Sequence, residues 1–560
     1  MQKPRTAAAA LGALALVAGT AGVVSSTAAS AAPTSGEARS VLVLASSSAS
    51  DAQVRRAISA AGGRVTDVNK AIGLYTVETS SDAFNAAVSA TAAVDSVGRD
   101  KVVGYDDPAK AKNKDKVEKE NWGQSKKQTF PAPNTTGEPL ASRQWDMRMM
   151  NTAQAHTIET GRGVRVGIMD TGVDGNHPDI KPNFNFTLSR NFTTDIESID
   201  GACADEPDQS CSDPADVDEN GHGTHVASTI ASPVNGQGIA GVAPNAEIVN
   251  LRAGQDSGYF FLKATVDALT YAPSAGVDVV NMSYYIDPWM YNCRANPADS
   301  PAEQAEQSLV IDATNRALKY AHRQGVTLVA AAGNDHQDLD NKVSDDTSPD
   351  FPEGNERVRA IDSSCLDMPA EGYRVNTVSS IGPSGRKAYY SNYGTGIDIS
   401  APGGDSRDFP GTDQYRSPGN LILAAYPKNV GIEEGAIDPV TGDITPGNEG
   451  FVVKDGEGYY QAIQGTSMAS PHAAGVAALI VGRWGHKDPK NGGLTLNASQ
   501  TDKILAATAK DTPCPAGGTQ VYPLLPDVYT ATCTGTTAKN TFYGDGIVDA
   551  YKAVTSKNGK

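Results

Sequence analysis

Thiols, positive charge and long apolar runs are all scarce in this sequence. Six cysteines are spread over 560 residues, and no two form a CxxC pair, so a thiolate zinc clamp is excluded. Lys and Arg number 47 against 65 Asp and Glu, a formal net charge of −18. That balance argues against nucleic acid as a partner and suits hard cations held by carboxylates. Beyond the N-terminal stretch no apolar run is long enough to span a bilayer, and no internal repeat is present. Apolar residues at 39%, with 56 Gly, are the composition of a globular chain rather than a disordered one.

The opening stretch carries Lys3 and Arg5, then an Ala- and Gly-rich apolar run, then the small-residue site Ala29-Ser30-Ala31. This pattern predicts a signal peptide over 1–31 and a secreted, extracellular product with no membrane anchor. Export permits disulfides. Neighbours in sequence pair Cys203 with Cys211 and Cys514 with Cys533, which pins loops rich in Asp, Gly and Pro. Cys293 and Cys365 are left for each other.

Residues 32–106 read as a small separate unit. SVLVLA alternates like a strand, DAQVRRAISAAGG reads as a helix ending in Gly, GLYTVET is strand-like, SDAFNAAVSATAAV helical, and KVVGY strand-like again. The order predicts a ferredoxin-like β-α-β-β-α-β sandwich. Residues 107–141 are charged, then Pro-rich, and read as a linker. From 142 to 556 apolar β-rich runs alternate with helical ones. Strands are expected at VRVGIMD, AEIVNLRAG, VDVVNMSY, TLVAAAGN and NTVSSIG; helices at HVASTIA, LKATVDALTYA, SLVIDATNRALKYAHRQG and MASPHAAGVAALIVG. Strands apolar on both faces, alternating with helices, predict an α/β fold with a parallel sheet covered on both sides. Its functional residues should stand at the carboxyl ends of strands.

Three stretches carry chemistry. QGTSMASPHAAGVAALIVG puts Ser467 at the mouth of a buried helix, with Pro471 close behind. Thr466 or Ser467 would serve there as an ordinary helix cap. The same place also suits a nucleophile, because free N–H groups and the helix dipole stabilise an oxyanion beside it. A serine needs a base and an orienting acid. GIMDTGVDGNHPDI ends a strand on Asp170, and DENGHGTHVASTIAS opens a helix with His222 and His225. Asp170, His222 and Ser467 supply acid, base and nucleophile in one of the chain orders that triads adopt.

These three blocks resemble the signature motifs of the subtilisin family of serine proteases, over roughly Gln144 to Val554. The resemblance implies a subtilisin-like fold in which Ser467 attacks, His222 moves the proton, Asp170 orients it, and Asn334, in TLVAAAGNDH, points its amide at the oxyanion. It also implies that 32–106 is an inhibitory, chaperone-like propeptide, the chain's own intramolecular inhibitor, cleaved off in the 107–141 region. Substrate would lie between Ser257-Gly258 and Ser283-Tyr284-Tyr285 on strand-like edges, with Ala331, Ala332 and Gly333 lining the pocket for the residue before the cut. Gln144, Asp179 and Asn235 stand where the family holds a structural calcium ion, and oxygen ligands of this kind suit calcium. The sequence departs from the family at Tyr285, where Gly is usual, so the pocket should be narrowed. Insertions at Cys203–Cys211, Pro288–Glu306, Asp335–Glu371 and Cys514–Cys533 have no counterpart in the simplest members. The expected product is a monomeric secreted endopeptidase acting on proteins and peptides. A peptide ligase or macrocyclase on the same fold, and a catalytically inactive binding protein, remain the alternatives.

Overall fold

The computed structural model describes residues 38–99, 117–119, 137–205, 209–350 and 355–557. The leader expected at 1–31 and the strand expected at KVVGY lie outside them.

Short runs of Val, Ile and Ala that are buried on both faces need cover on both sides, and they assemble into one parallel sheet. Among the described residues it has seven strands, in the spatial order Ile399–Pro402, Val375–Ile381, Thr327–Ala331, Val279–Met282, Arg165–Met169, Glu247–Arg252, Arg190–Asn191. Every neighbouring pair is parallel. The order reverses at Arg165–Met169, whose neighbours are the next two long strands in the chain, so a crevice opens at the carboxyl ends there. The five expected strands are all present. The short strands Ile399–Pro402 and Arg190–Asn191 were not foreseen, nor was a three-stranded antiparallel sheet of Ile422–Ala425, Gly458–Ile463 and Val452–Asp455 that leads into the Ser467 helix.

Helices cover both faces. On one side the Thr466–Trp484 helix, buried from Thr466 to Val481, packs on five of the strands and on the His222–Ala231 helix. On the other lie Leu262–Tyr271 and Pro301–Arg323. The latter starts two turns before the expected SLVIDATNRALKYAHRQG. Its first turn has no apolar periodicity to read, but it carries Pro301 and a Ser300–Glu303 capping box, which is a start signal in its own right.

The N-terminal unit has the expected order: Arg39–Ala45, Asp51–Ala60, Gly63–Asn69, Leu74–Thr79, Phe84–Ser89 and Val94–Arg99. Its strands form an antiparallel sheet in which Arg39–Ala45 lies between Leu74–Thr79 and Val94–Arg99. The last strand is thus Val94–Arg99. One face of this sheet docks on the two helices just named. Leu42, Leu44, Ile72 and Leu74 join the same apolar cluster as Leu309 and Val310. Arg99 pairs with Glu306 at 3.0 Å and Lys263 with Asp67 at 3.0 Å.

Three disulfides join Cys203 to Cys211, Cys293 to Cys365 and Cys514 to Cys533, the pairing expected. No helix among the described residues is long and apolar enough to cross a membrane.

Candidate active site

Asp170 directly follows the Arg165–Met169 strand and is fully buried. Its Oδ1 accepts from Thr171 N at 2.8 Å and lies 2.7 Å from His222 Nδ1. A carboxylate only accepts, so the Nδ1 proton faces Asp170 and Nε2 is left to act as a base. Asp170 Oδ2, also buried, has no hydrogen-bond partner among the described residues.

His222 is the first residue of its helix. Asp218, 1% exposed, holds that helix start in place. Its carboxylate accepts from the backbone N–H of Asn220, Gly221 and Thr224 and from the hydroxyls of Thr171 and Thr224, which satisfies orphan donors and complements the helix dipole. Sequence reading passed over Asp218, although an Asp shortly before a helix start was the signal. Gly223 is required by close approach: a Cβ there would meet Gly172 O at 2.1 Å and Asp170 Cβ at 2.9 Å. His225, one turn on, sits with Nε2 3.1 Å from both Ile422 O and Gln461 O. Burial first of all pushes its imidazole down to about 3, so it remains neutral.

The N-cap of the Thr466–Trp484 helix is Gly465, not Thr466 or Ser467. Ser467 is thereby the second helical residue, 6% exposed, with Oγ 3.3 Å from Ser283 O. Ser283 Oγ returns a bond to Ser467 O at 3.0 Å and meets Ser470 Oγ at 2.8 Å. Asn334 follows the Thr327–Ala331 strand. Its Oδ1 accepts from Thr466 N at 2.9 Å and from Thr466 Oγ1 at 2.8 Å. Two donors on one atom fix the amide orientation, so Nδ2 points into the cleft.

That cleft is filled. Asn334 Nδ2 donates to Glu118 Oε1 at 3.2 Å, and Glu118 Oε2 lies 3.4 Å from His222 Nε2. Gln464 holds the backbone, its Nε2 donating to Val117 O at 2.9 Å and its N to Glu118 O at 3.3 Å. Lys119 pairs with Glu434 at 2.8 Å. Residues 117–119 of the expected linker therefore lie across the site; the family resemblance implies a propeptide tail there, though not which residues.

The subtilase family model matches residues 161–545. The chain belongs to the subtilase family. It is 26% identical over 351 residues to subtilisin DY of Bacillus licheniformis, covering 62% of this chain and 84% of that protein. To thermitase of Thermoactinomyces vulgaris it is 26% identical over 348 residues, 62% of this chain and 85% of that one. The fold is that of the epidermin leader peptide processing serine protease from Staphylococcus aureus, with a TM-score of 0.59 at 21% identity over 94% of this chain and 100% of that chain. The subtilase is a serine endopeptidase.

Of the residues expected to hold calcium in this subtilase, Asp179 and Asn235 come together and Gln144 lies alongside. Asp179 is fully buried, and its oxygens accept from Asn235 Nδ2 at 3.0 Å, Ile239 N at 3.0 Å and Tyr460 OH at 3.2 Å. Gln144 bonds both ways to the backbone of Ala240. Glu138 accepts from Gly236 N and Asp455 from Gly238 N on the same loop. Burial pushes the Asp179 carboxyl up to about 7, with Glu138 adding to the effect. The carboxylates of Asp179, Glu138 and Asp455 gathered on this loop suit a hard cation, while Asn235 turns its Nδ2 to Asp179 and its Oδ1 accepts from Gln237 N.

The expected substrate edges are not strands. Ser257 and Gly258 form the turn between Gly254 and Phe260, which are bridged, and Gly258 has φ +84; the chain must reverse there, so it cannot stay extended. Ser283, Tyr284 and Tyr285 follow the Val279–Met282 strand as irregular backbone. Tyr284 stacks on Phe260 with ring centroids 4.0 Å apart. Tyr285 donates to Asp350 Oδ2 at 2.5 Å. Ala331 and Ala332 are buried and Gly333 half-buried, with Gly333 N donating to Thr466 Oγ1 at 3.1 Å.

Proposed function

We propose that the chain is the precursor of a secreted endopeptidase that works through Asp170, His222 and Ser467. Ser467 Oγ attacks the scissile carbonyl while His222 Nε2 takes its proton, and the imidazolium then returns that proton to the leaving amine. Asp170 holds the tautomer and stabilises the charged ring. Asn334 Nδ2 and the N–H groups at the start of the Ser467 helix receive the oxyanion. Water, activated the same way, releases the acyl group. The 2.7 Å contact between His222 Nδ1 and Asp170 Oδ1 carries this reading, because it sets the protonation that leaves Nε2 basic.

The N-terminal unit and the segment after it serve as the intramolecular inhibitor. The docked sheet of residues 39–99 and the passage of 117–119 over His222 and Asn334 support that role. Calcium held by Asp179, Asn235 and Gln144 stabilises the fold and takes no part in the reaction.

A fluorophosphonate probe tests the nucleophile: the mature protein should be labelled on Ser467, and Ser467→Ala should not. Mass spectrometry of products from a peptide offered with excess amine separates hydrolysis from ligation. Labelling of Ser467→Ala at the wild-type rate would remove Ser467 from the mechanism.

A further inference from the structure

Asp367 is a buried acid without a counter-ion, next to the wall that the substrate residue before the cut should touch. A Cβ placed on Gly333 would lie 3.6 Å from Asp367 Oδ2. Asp367 is 3% exposed. Among the described residues nothing hydrogen-bonds its carboxylate, and Oδ1 is enclosed with no partner. Buried carboxylates are normally paired with a cation or several donors. The nearest cation does not serve: Lys342 Nζ is held by both oxygens of Glu371, at 2.7 and 2.6 Å, and by Cys365 O at 2.7 Å. Glu371 in turn accepts from Asp367 N at 2.8 Å.

A second acid stands nearby. Asp335 follows Asn334 directly, is exposed as a residue, and lies close enough to Asp367 to act on its charge. Burial, with Glu371 next, pushes the Asp367 carboxyl well above the usual range. Burial, with Asp345 and Asp346, pushes Asp335 up to about 7. The two acids disfavour each other's charge, and a cation bound between them would relieve both. Tyr285, expected to narrow this pocket, donates to Asp350 Oδ2 and brings no positive charge to Asp367.

We infer that the pocket for the residue preceding the scissile bond selects lysine or arginine, with the cationic tip on Asp367 and Asp335 beside it. Asp367 is the specificity-determining residue. A long unbranched chain passes Tyr285 where a large aromatic would not, and its charge supplies the partner that Asp367 lacks. The inference rests on the reading of Ser467 as nucleophile and of Ala331–Gly333 as pocket wall. It also accounts for the composition of the segment to be cut, which offers Lys110, Lys112, Lys114, Lys116, Lys126 and Lys127.

Matched fluorogenic peptides differing only in that residue (Lys, Arg, Leu, Phe, Glu) test it on the mature enzyme. Wild type should favour Lys and Arg over Leu and Phe by at least about thirtyfold in kcat/KM, a typical worth for a buried charge pair. Asp367→Asn should lose that preference, mainly through KM for the Lys and Arg peptides, and should still react with fluorophosphonate. Asp335→Asn should lose a smaller part of it. A labelled, active wild type that prefers Phe or Leu overturns the inference and leaves the nucleophile reading intact, as does an unchanged Lys and Arg preference in Asp367→Asn. Cleavage by Ser467→Ala overturns both. Should Asp367→Asn fail to fold, the wild-type profile together with Asp335→Asn still decides.

Discussion

The Glu118 carboxylate lies 3.4 Å from His222 Nε2, the nitrogen that Asp170 does not touch, while its other oxygen takes the Asn334 amide at 3.2 Å. One side chain therefore engages both groups that the proposed reaction needs free. Charge-assisted hydrogen bonds of this kind contribute about 1.5–3 kcal/mol. Purified precursor carrying Glu118→Ala should react with fluorophosphonate on the order of tenfold faster than wild-type precursor. Equal rates would mean that Glu118 does not guard the site.

Asn334→Ala removes the amide aimed at the cleft and also unpairs Thr466 N and Thr466 Oγ1. Turnover should fall by about 10²–10³, a magnitude known from the matching donor in subtilisin itself. KM for a peptide substrate should barely change, since the oxyanion exists only in the transition state. A loss confined to KM would assign Asn334 to substrate binding instead.

Asp278 offers a pH test of the fold away from the site. It is buried, its Oδ2 accepts from Arg165 N at 3.0 Å, and burial above all pushes its carboxyl up from 3.8 to about 8. Between those values the native chain holds a proton that the unfolded chain has released. Unfolding then releases a proton, so this group lowers stability as pH rises through that window. Thermal melts of Ser467→Ala, which cannot digest itself, should show Tm falling from pH 4.5 to 7.5 less steeply once Asp278→Asn is added. Parallel slopes would show that Asp278 does not titrate there.

The Cys293–Cys365 bridge closes a separation of 72 residues and stands two residues before Asp367. On the loop-closure model a bridge of this span is worth about 4 kcal/mol. A double replacement by Ala in the Ser467→Ala background should lower the unfolding free energy by several kcal/mol in denaturant titration. In the active enzyme it should also blunt discrimination at the residue before the cut. A variant with unchanged stability would place the bridge outside the cooperative fold.

Calcium should raise stability by binding the native state alone. Chelation should lower the Tm of Ser467→Ala, and Asp179→Ala should abolish most of that difference. A Tm indifferent to chelator in wild type would leave Asp179 as a purely hydrogen-bonded acid.

Much of this protein is legible along the chain because the relevant physics is local. Apolar runs of four to seven residues between turns are short for a buried helix and, rich in β-branched residues, read as buried strands, and RVGIM, VVNM and VNTVSSI became such strands. The blocks around Asp170, His222 and Ser467 announce themselves because each joins a functional group to its own strand end or helix start. Short strands such as Ile399–Pro402 and the sheet built on Gly458–Ile463 escaped reading, because a few residues carry too little periodicity and the pairing partner supplies the rest.

Tertiary packing decided what faces what. Asp367 and Glu118 look like ordinary surface acids in sequence, and nothing local separates them from the many others; Asp218 carries only its place shortly before a helix start. The fold lays Asp218 under a helix start, sets Asp367 beside Gly333 with no donor on its carboxylate among the described residues, and brings Glu118 to His222 across more than a hundred residues. A carboxylate has no role until its surroundings strip or supply its water, donors and counter-ions, and those surroundings are assembled from segments that meet only in the folded chain.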